Sequence, residues 1–215
     1  YIKIQFMNNL EIIDNFLKKD DFDKLSKLTL DEIPHDSIKV YHNEITKNNI
    51  IKKSCIDNSL IQSLHKNYHK KVFDILVKTS PEKAELYEYS DFSVIKTGKH
   101  YKFPIHDDTP NKLLSGVIYL YPKHNTGTIF YANKKGDGKK VIDWKQNRGV
   151  FFSRVEKETW HSFEGDGQSD RIALVYNLVT TQIKRVFEIE NKNFFTGLLR
   201  YKINPYLNNL FKKTI

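Results

Sequence analysis

Cysteine is nearly missing: Cys55 is the only one in 215 residues. One thiol makes no internal disulfide and no cysteine zinc cluster, so a disulfide scaffold and a zinc ribbon are both excluded. A reducing compartment is the expected setting. Long apolar runs are missing too, with nothing near the roughly 18 residues that a spanning helix needs. The opening stretch, YIKIQFMNN, lacks the apolar centre and small-residue cleavage site of a secretory leader. These absences set the expectation of a cytoplasmic, intracellular protein with no transmembrane segment. Repeats and low-complexity linkers do not occur, which predicts a single domain over residues 1–215.

Acidic residues are in deficit, 26 against 35 basic, for a net charge of +9. That balance permits an acidic partner such as nucleic acid or an anionic surface. The lysines are spread through a chain rich in Asn and Ile, which fits a solvated surface. Only the stretch from residue 191 on concentrates them, with Lys192, Arg200, Lys202, Lys212 and Lys213 and no acid. Its Phe194, Phe195, Leu198, Leu199, Tyr206, Leu210 and Phe211 are spaced like the apolar face of a helix. That spacing favours packing over base stacking, so a peptide, protein or small-molecule substrate is expected ahead of nucleic acid.

Hydrophobic residues make up 39% and aromatics 13%, enough for a core. Their spacing divides the chain. DNFLKKDDFDKLSKL (14–28) and DNSLIQSLHKNYHKKVFDIL (57–76) place apolar residues at helical intervals. In the second, Leu60, Leu64, Tyr68, Val72 and Leu76 form one stripe. Asp57 can cap its start and Pro81 lies past its end. From about 86 to 180, short aromatic and β-branched runs alternate with Gly and Asn/Asp turns: SVIKTG, GVIYLYP, GTIFYANKKGDG, RGVFF and RIALVYNLV. The spacing predicts an all-β sandwich or barrel there. Helical support is expected over 1–85 and a helical tail over 181–215.

The stretch FPIHDDTPN (103–111) carries chemistry that a strand does not need for stability. His106 and Asp108 are two residues apart, so on a strand they face one side and deliver an imidazole and a carboxylate to one point. Asp107 between them points the other way and is read as solvated. A second such pair, His42-Asn43-Glu44, shows that the pattern alone is weak. Context separates the two. His161, in TWHSFEG, opens a late strand that a sandwich can bring beside His106. Arg171 opens the apolar strand RIALVYNLV, where a buried guanidinium needs an anion; Asp170 and Glu164 are alternative partners. Tyr119, in GVIYLYP, is placed to direct a hydroxyl to the same anion.

Two histidines and one carboxylate with open positions form the facial triad of non-haem Fe(II) oxygenases. The order H-x-D…H…R resembles the 2-oxoglutarate/Fe(II)-dependent dioxygenases. HDDTPN, GVIYLYP, NRGVFFSRVEKETWHSF and DRIALVYNLV are similar, in order and spacing, to the prolyl-4-hydroxylase-like branch. The likeness extends over about residues 85–180, and the early EIIDNFL (11–17) also resembles the strand that opens many members. It implies a double-stranded β-helix, a cupin-like jelly roll of α+β but mainly β class. It implies His106, Asp108 and His161 as ligands of Fe(II), and Arg171 and Tyr119 as holders of the distal carboxylate of 2-oxoglutarate. It further implies O₂ as oxidant, ascorbate as an optional reductant, and hydroxylation of a substrate C–H bond, foremost on a peptide or protein side chain. Lys96 departs from a tyrosine found ten residues before the first ligand in some animal prolyl hydroxylases, and Asn177 from an aromatic residue near the cosubstrate. The alternatives are an oxygenase of the same superfamily acting on a small molecule, sugar or nucleic acid, and a non-catalytic jelly-roll binding protein.

Overall fold

The runs of β-branched and aromatic residues pair into two facing antiparallel sheets in a computed structural model, which describes residues 9–199. The larger sheet holds β1 (Leu10–Ile13), β2 (Ile38–Tyr41), β3 (Glu44–Thr46), β4 (Ile51–Lys53), β5 (Tyr89–Thr97), β7 (Lys112–Tyr121), β10 (Gly149–Ser153) and β12 (Arg171–Val179). The smaller holds β6 (Lys102–His106), β8 (Thr128–Tyr131), β9 (Lys140–Ile142) and β11 (Trp160–Glu164). Strand order is β1-β10-β7-β12-β5-β3-β4 in one, with β2 also on β5, and β6-β11-β8-β9 in the other. This is the expected double-stranded β-helix, mainly β with helical flanks.

Helix α2 (Asn58–Thr79) follows the apolar stripe of its sequence. The Asp57 carboxylate accepts from the Leu60 N–H at 3.0 Å, satisfying one free amide of the first turn. Leu64, Tyr68, Val72 and Leu76 are buried in a core shared with Phe92, Val94, Leu174 and Tyr176 of the larger sheet. A separate cluster, Tyr119, Phe130, Ile142, Val150 and Phe152, fills the space between the sheets.

Residues 1–85 do more than buttress. Four of the strands lie there, β1 to β4, where helical support was expected. The reason is edge pairing. β5 has β12 on one side, and the other side is closed by β2 and β3. The helix expected over 14–28 shrinks to α1 (Lys19–Ser26). Asn147 holds the preceding residues extended: it accepts from the Leu17 N–H and donates to the Leu17 carbonyl, both at 2.8 Å. At the other end, α3 (Ile183–Ile189) begins the expected helical tail and Phe194 packs on Phe187, but Phe195 and Leu199 stand exposed. Arg200, Lys202, Tyr206, Leu210, Phe211, Lys212 and Lys213 lie outside the described residues. No helix among the described residues is long and apolar enough to cross a membrane.

Candidate metal centre and anion pocket

Two strands of the smaller sheet set the histidines. His106 ends β6 and His161 is the second residue of β11; the antiparallel register places them opposite one another. Their ring centroids are 4.2 Å apart. Asp108 lies just past the end of β6, with Oδ2 3.9 Å from His161 Nε2. One ligating atom from each of the three lies within 4.8 Å of the others, close enough to share an ion. His42 and Glu44 join no such group among the described residues.

The backbone fixes which nitrogen each histidine offers. His106 Nδ1 lies 2.9 Å from the Pro104 carbonyl and His161 Nδ1 lies 3.0 Å from the Thr159 carbonyl. A carbonyl only accepts, so both Nδ1 atoms carry the proton and both Nε2 lone pairs are left for a ligand. Burial, then the neighbouring imidazole, holds His106 down to about 4. Burial likewise lowers His161. Both rings are therefore neutral at pH 7, as metal ligation requires.

Asp108 is kept ionised in a buried place. Burial pushes its carboxyl up, but the Lys112 ammonium, joined by the two histidines once they are protonated, outweighs that and holds it below the usual carboxylate range. Lys112 Nζ donates to Oδ1 and Ser115 Oγ to Oδ2, both at 2.6 Å. Arg154 Nε donates to the Asp108 backbone carbonyl at 3.1 Å. Asp107 points away from the site, but it is buried rather than solvated. It accepts from the Lys157 N–H at 2.9 Å and so ties the β6 end to the loop before β11.

The triad lines a cavity of about 130 Å³ between the sheets, and Arg171 lines it too. Arg171 is 4% exposed and pairs with no carboxylate among the described residues. Asp170 is 3.6 Å from Lys96 and Glu164 is 3.6 Å from Lys102, so neither alternative partner is taken up. The guanidinium sits over the rings of Phe163, Trp144 and Tyr119 at 4.1, 5.2 and 5.7 Å, and its Nε has no hydrogen-bond partner. Burial pulls its pKa down to about 10, which leaves it charged at neutral pH. A buried guanidinium ringed by aromatic faces and unpaired with any carboxylate among the described residues has the chemistry to hold an anion.

Tyr119 stands behind this wall. Its hydroxyl donates to Thr128 Oγ1 and accepts from the Thr128 N–H, both at 2.8 Å, while its ring stacks on Trp144. The hydroxyl expected to meet an anion is thus committed to Thr128, which does line the cavity. Lys96 points elsewhere: its Nζ donates to the Asp31 carbonyl at 3.0 Å. Asn177 lines the cavity. Sequence reasoning assigned no role to Lys112, Ser115, Thr128 or Arg154. Only Lys112, four residues after Asp108, had a spacing that hinted at contact.

No protein-family model matches the chain, and no curated protein matches it. Solved structures match in fold. An oxidoreductase of the 2OG-Fe(II) oxygenase family from Burkholderia pseudomallei is 15% identical with a TM-score of 0.55, covering 80% of this chain and 84% of that one. A prolyl-4-hydroxylase from Pseudomonas putida is 13% identical with a TM-score of 0.52, over 81% and 94%. A prolyl hydroxylase from Trichoplax adhaerens, solved with a peptide fragment of the hypoxia inducible factor oxygen degradation domain, is 15% identical with a TM-score of 0.56, over 83% and 86%.

Proposed function

We propose that this chain is an Fe(II)- and 2-oxoglutarate-dependent dioxygenase that hydroxylates a C–H bond, foremost on a peptide or protein side chain. The observation that carries the reading is Arg171: a buried guanidinium with no counter-ion among the described residues, in the same cavity as His106, Asp108 and His161. The donor set fits iron, since two imidazoles and one carboxylate suit Fe(II) and leave positions open. The cavity fits a dianion with one end near the metal and the other on Arg171, whose planar fork matches a carboxylate. The peptide part of the reading leans on the fold likeness to a prolyl hydroxylase solved with a peptide.

Iron held there would supply the oxidising chemistry, with O₂ as oxidant and 2-oxoglutarate as the co-reductant that would leave as succinate and CO₂, one oxygen atom going to the succinate and the other to the substrate as a hydroxyl. The chain's own residues bind, orient and exclude water. His106 and His161 present Nε2, and Asp108 presents a carboxylate that Lys112 and Ser115 keep charged and aimed. Arg171 takes the distal carboxylate, with the Thr128 hydroxyl beside it and Tyr119 holding Thr128 in place. Phe103, Val117, Phe152, Phe163 and Val175 line the same cavity and keep it dry.

The test is turnover. Purified protein with Fe(II), 2-oxoglutarate, ascorbate and air is expected to release succinate, and His161→Ala is expected to release none above background. Equal succinate from both proteins, or none from either in the presence of iron, contradicts the proposal.

A further inference from the structure

One end of the cavity holds a buried acceptor, Asn177 Oδ1, with no donor to it among the described residues. Alternate residues of β12, Arg171, Ala173, Val175 and Asn177, all face into it. The two ends of that row are about 20 Å apart at roughly 3.3 Å per residue. Arg171 marks the cationic end. Asn177 marks the other, and the unbroken register from Val175↔Val117 to Leu178↔Leu114 sets it opposite Ser115, the residue that holds Asp108. Asn177 is therefore at the metal end.

Asn177 is 1% exposed. Its Nδ2 donates to Asp91 Oδ2 at 3.1 Å, which fixes the amide orientation because a carboxylate only accepts. Its Oδ1 is left buried without a partner. An acceptor stranded in this way costs about 1–3 kcal/mol unless something donates to it. Asp91, one strand further out, makes no ion pair among the described residues. Its other oxygen accepts from Ser93 Oγ at 2.5 Å, and Ser93 meets His42 Nδ1 at 3.0 Å. On β3, Ile45 turns into the helix-side core, so Glu44 faces the cavity side, and the register sets it opposite Asp91. Both acids reach Tyr89, whose hydroxyl is raised first by burial and then by their charges.

We infer that this end of the cavity takes a cationic nitrogen of the substrate, a protonated amine or a guanidinium, which donates to Asn177 Oδ1 with Asp91 and Glu44 as its counter-charge. The direction of the row rests on the oxygenase reading, in which the cosubstrate occupies the Arg171 end. Lys112, the other cation that lines the cavity, is held by Asp108 at 2.6 Å and makes no hydrogen bond to Asn177 or Asp91. The substrate class is then a basic side chain or a small amine, with the C–H to be hydroxylated a few bonds from the nitrogen.

The probe is n-butylguanidinium, set against n-butylurea, its neutral isostere with similar N–H donors. Binding to the full ¹⁵N-labelled chain is followed by amide shifts, with and without Zn(II) and 2-oxoglutarate, Zn(II) serving as a redox-inert stand-in for iron. The expected result is at least tenfold tighter binding of the cation, with shifts at the Asn177 side-chain amide. Asp91→Asn, which keeps size and removes the charge, is expected to erase that preference and leave n-butylurea unchanged. Equal binding of the two probes by the wild-type chain, or a preference that survives Asp91→Asn, overturns the inference. Cation binding in a chain that ignores 2-oxoglutarate would sink the oxygenase reading and leave this subsite standing. The converse would sink the subsite and leave the oxygenase reading.

Discussion

Arg154 donates from Nε to the backbone carbonyl of Asp108 at 3.1 Å, while its other nitrogens are held by Glu190 and Glu156. Glu190 stands on the last turn of the chain's α3 region and also pairs with Lys83 at 2.7 Å. Arg154, Lys83, Glu190 and Glu156 are all buried or nearly so. A buried cluster thus links the end of α3 to the carboxylate-bearing loop of the candidate metal site.

Glu190→Gln keeps the volume and removes the charge shared by two buried cations. It is expected to cost about 3–5 kcal/mol in urea unfolding, since an unbalanced buried charge is costly. The exposed pair Lys192–Glu158, at 3.0 Å, is the control: Glu158→Gln should cost under about 1 kcal/mol.

Ser115→Ala removes one donor from the Asp108 carboxylate. Loss of such a supporting hydrogen bond is expected to weaken metal affinity by about 10–100-fold. Competition with a chelator measures it. The variant should stay folded, because a single hydrogen bond contributes only about 1 kcal/mol.

Arg171→Ala should weaken 2-oxoglutarate binding by about 2–5 kcal/mol and leave metal affinity largely unchanged. Arg171→Lys should recover part, having the charge without the fork. Calorimetric titration of each variant with 2-oxoglutarate, after metal loading, reads both effects.

His65 predicts an acid sensitivity remote from the site. It is 5% exposed, stacks on His69 at 4.6 Å, and its Nε2 has no partner. Burial, then the charge of His69, holds its pKa down to about 4. In the unfolded chain it titrates near 6.5, so as pH falls the unfolded state takes up the proton first. The stability it contributes is whole above about pH 6.5 and is lost on the way down to about 4. His65→Leu should reduce the stability loss across that window by about 1–2 kcal/mol, allowing for solvent screening. Urea unfolding at pH 7.5 and pH 4.5 reads the difference.

Periodicity made α2 legible because its stripe, cap and stop all agree. The jelly-roll strands were legible because turn residues punctuate them. Of the first four strands, only β1 was, through the resemblance of EIIDNFL to an opening strand; β2, β3 and β4 were not. They are short, β4 is mostly exposed, and β5, on which β2 and β3 pair, lies far along the chain, so local sequence carries little of the pairing that forms them. At the site, His106, Asp108, His161 and Arg171 were legible from their spacing and their order. The residues that hold them were not. Ser115, Thr128 and Arg154 act through register and side-chain reach, which only the folded chain reveals. Tyr119 lies on the strand expected for it, but hydroxyl direction is a packing property, and its hydroxyl bonds to Thr128.

The most direct measurement is an anaerobic titration of metal-free protein, first with Fe(II) and then with 2-oxoglutarate. The account predicts one Fe(II) per chain, bound through His106, Asp108 and His161 and lost in Asp108→Ala, and 2-oxoglutarate held at least tenfold more tightly by the iron-loaded protein than by the metal-free one. Binding of 2-oxoglutarate that is indifferent to iron, or iron binding that survives Asp108→Ala undiminished, would contradict it.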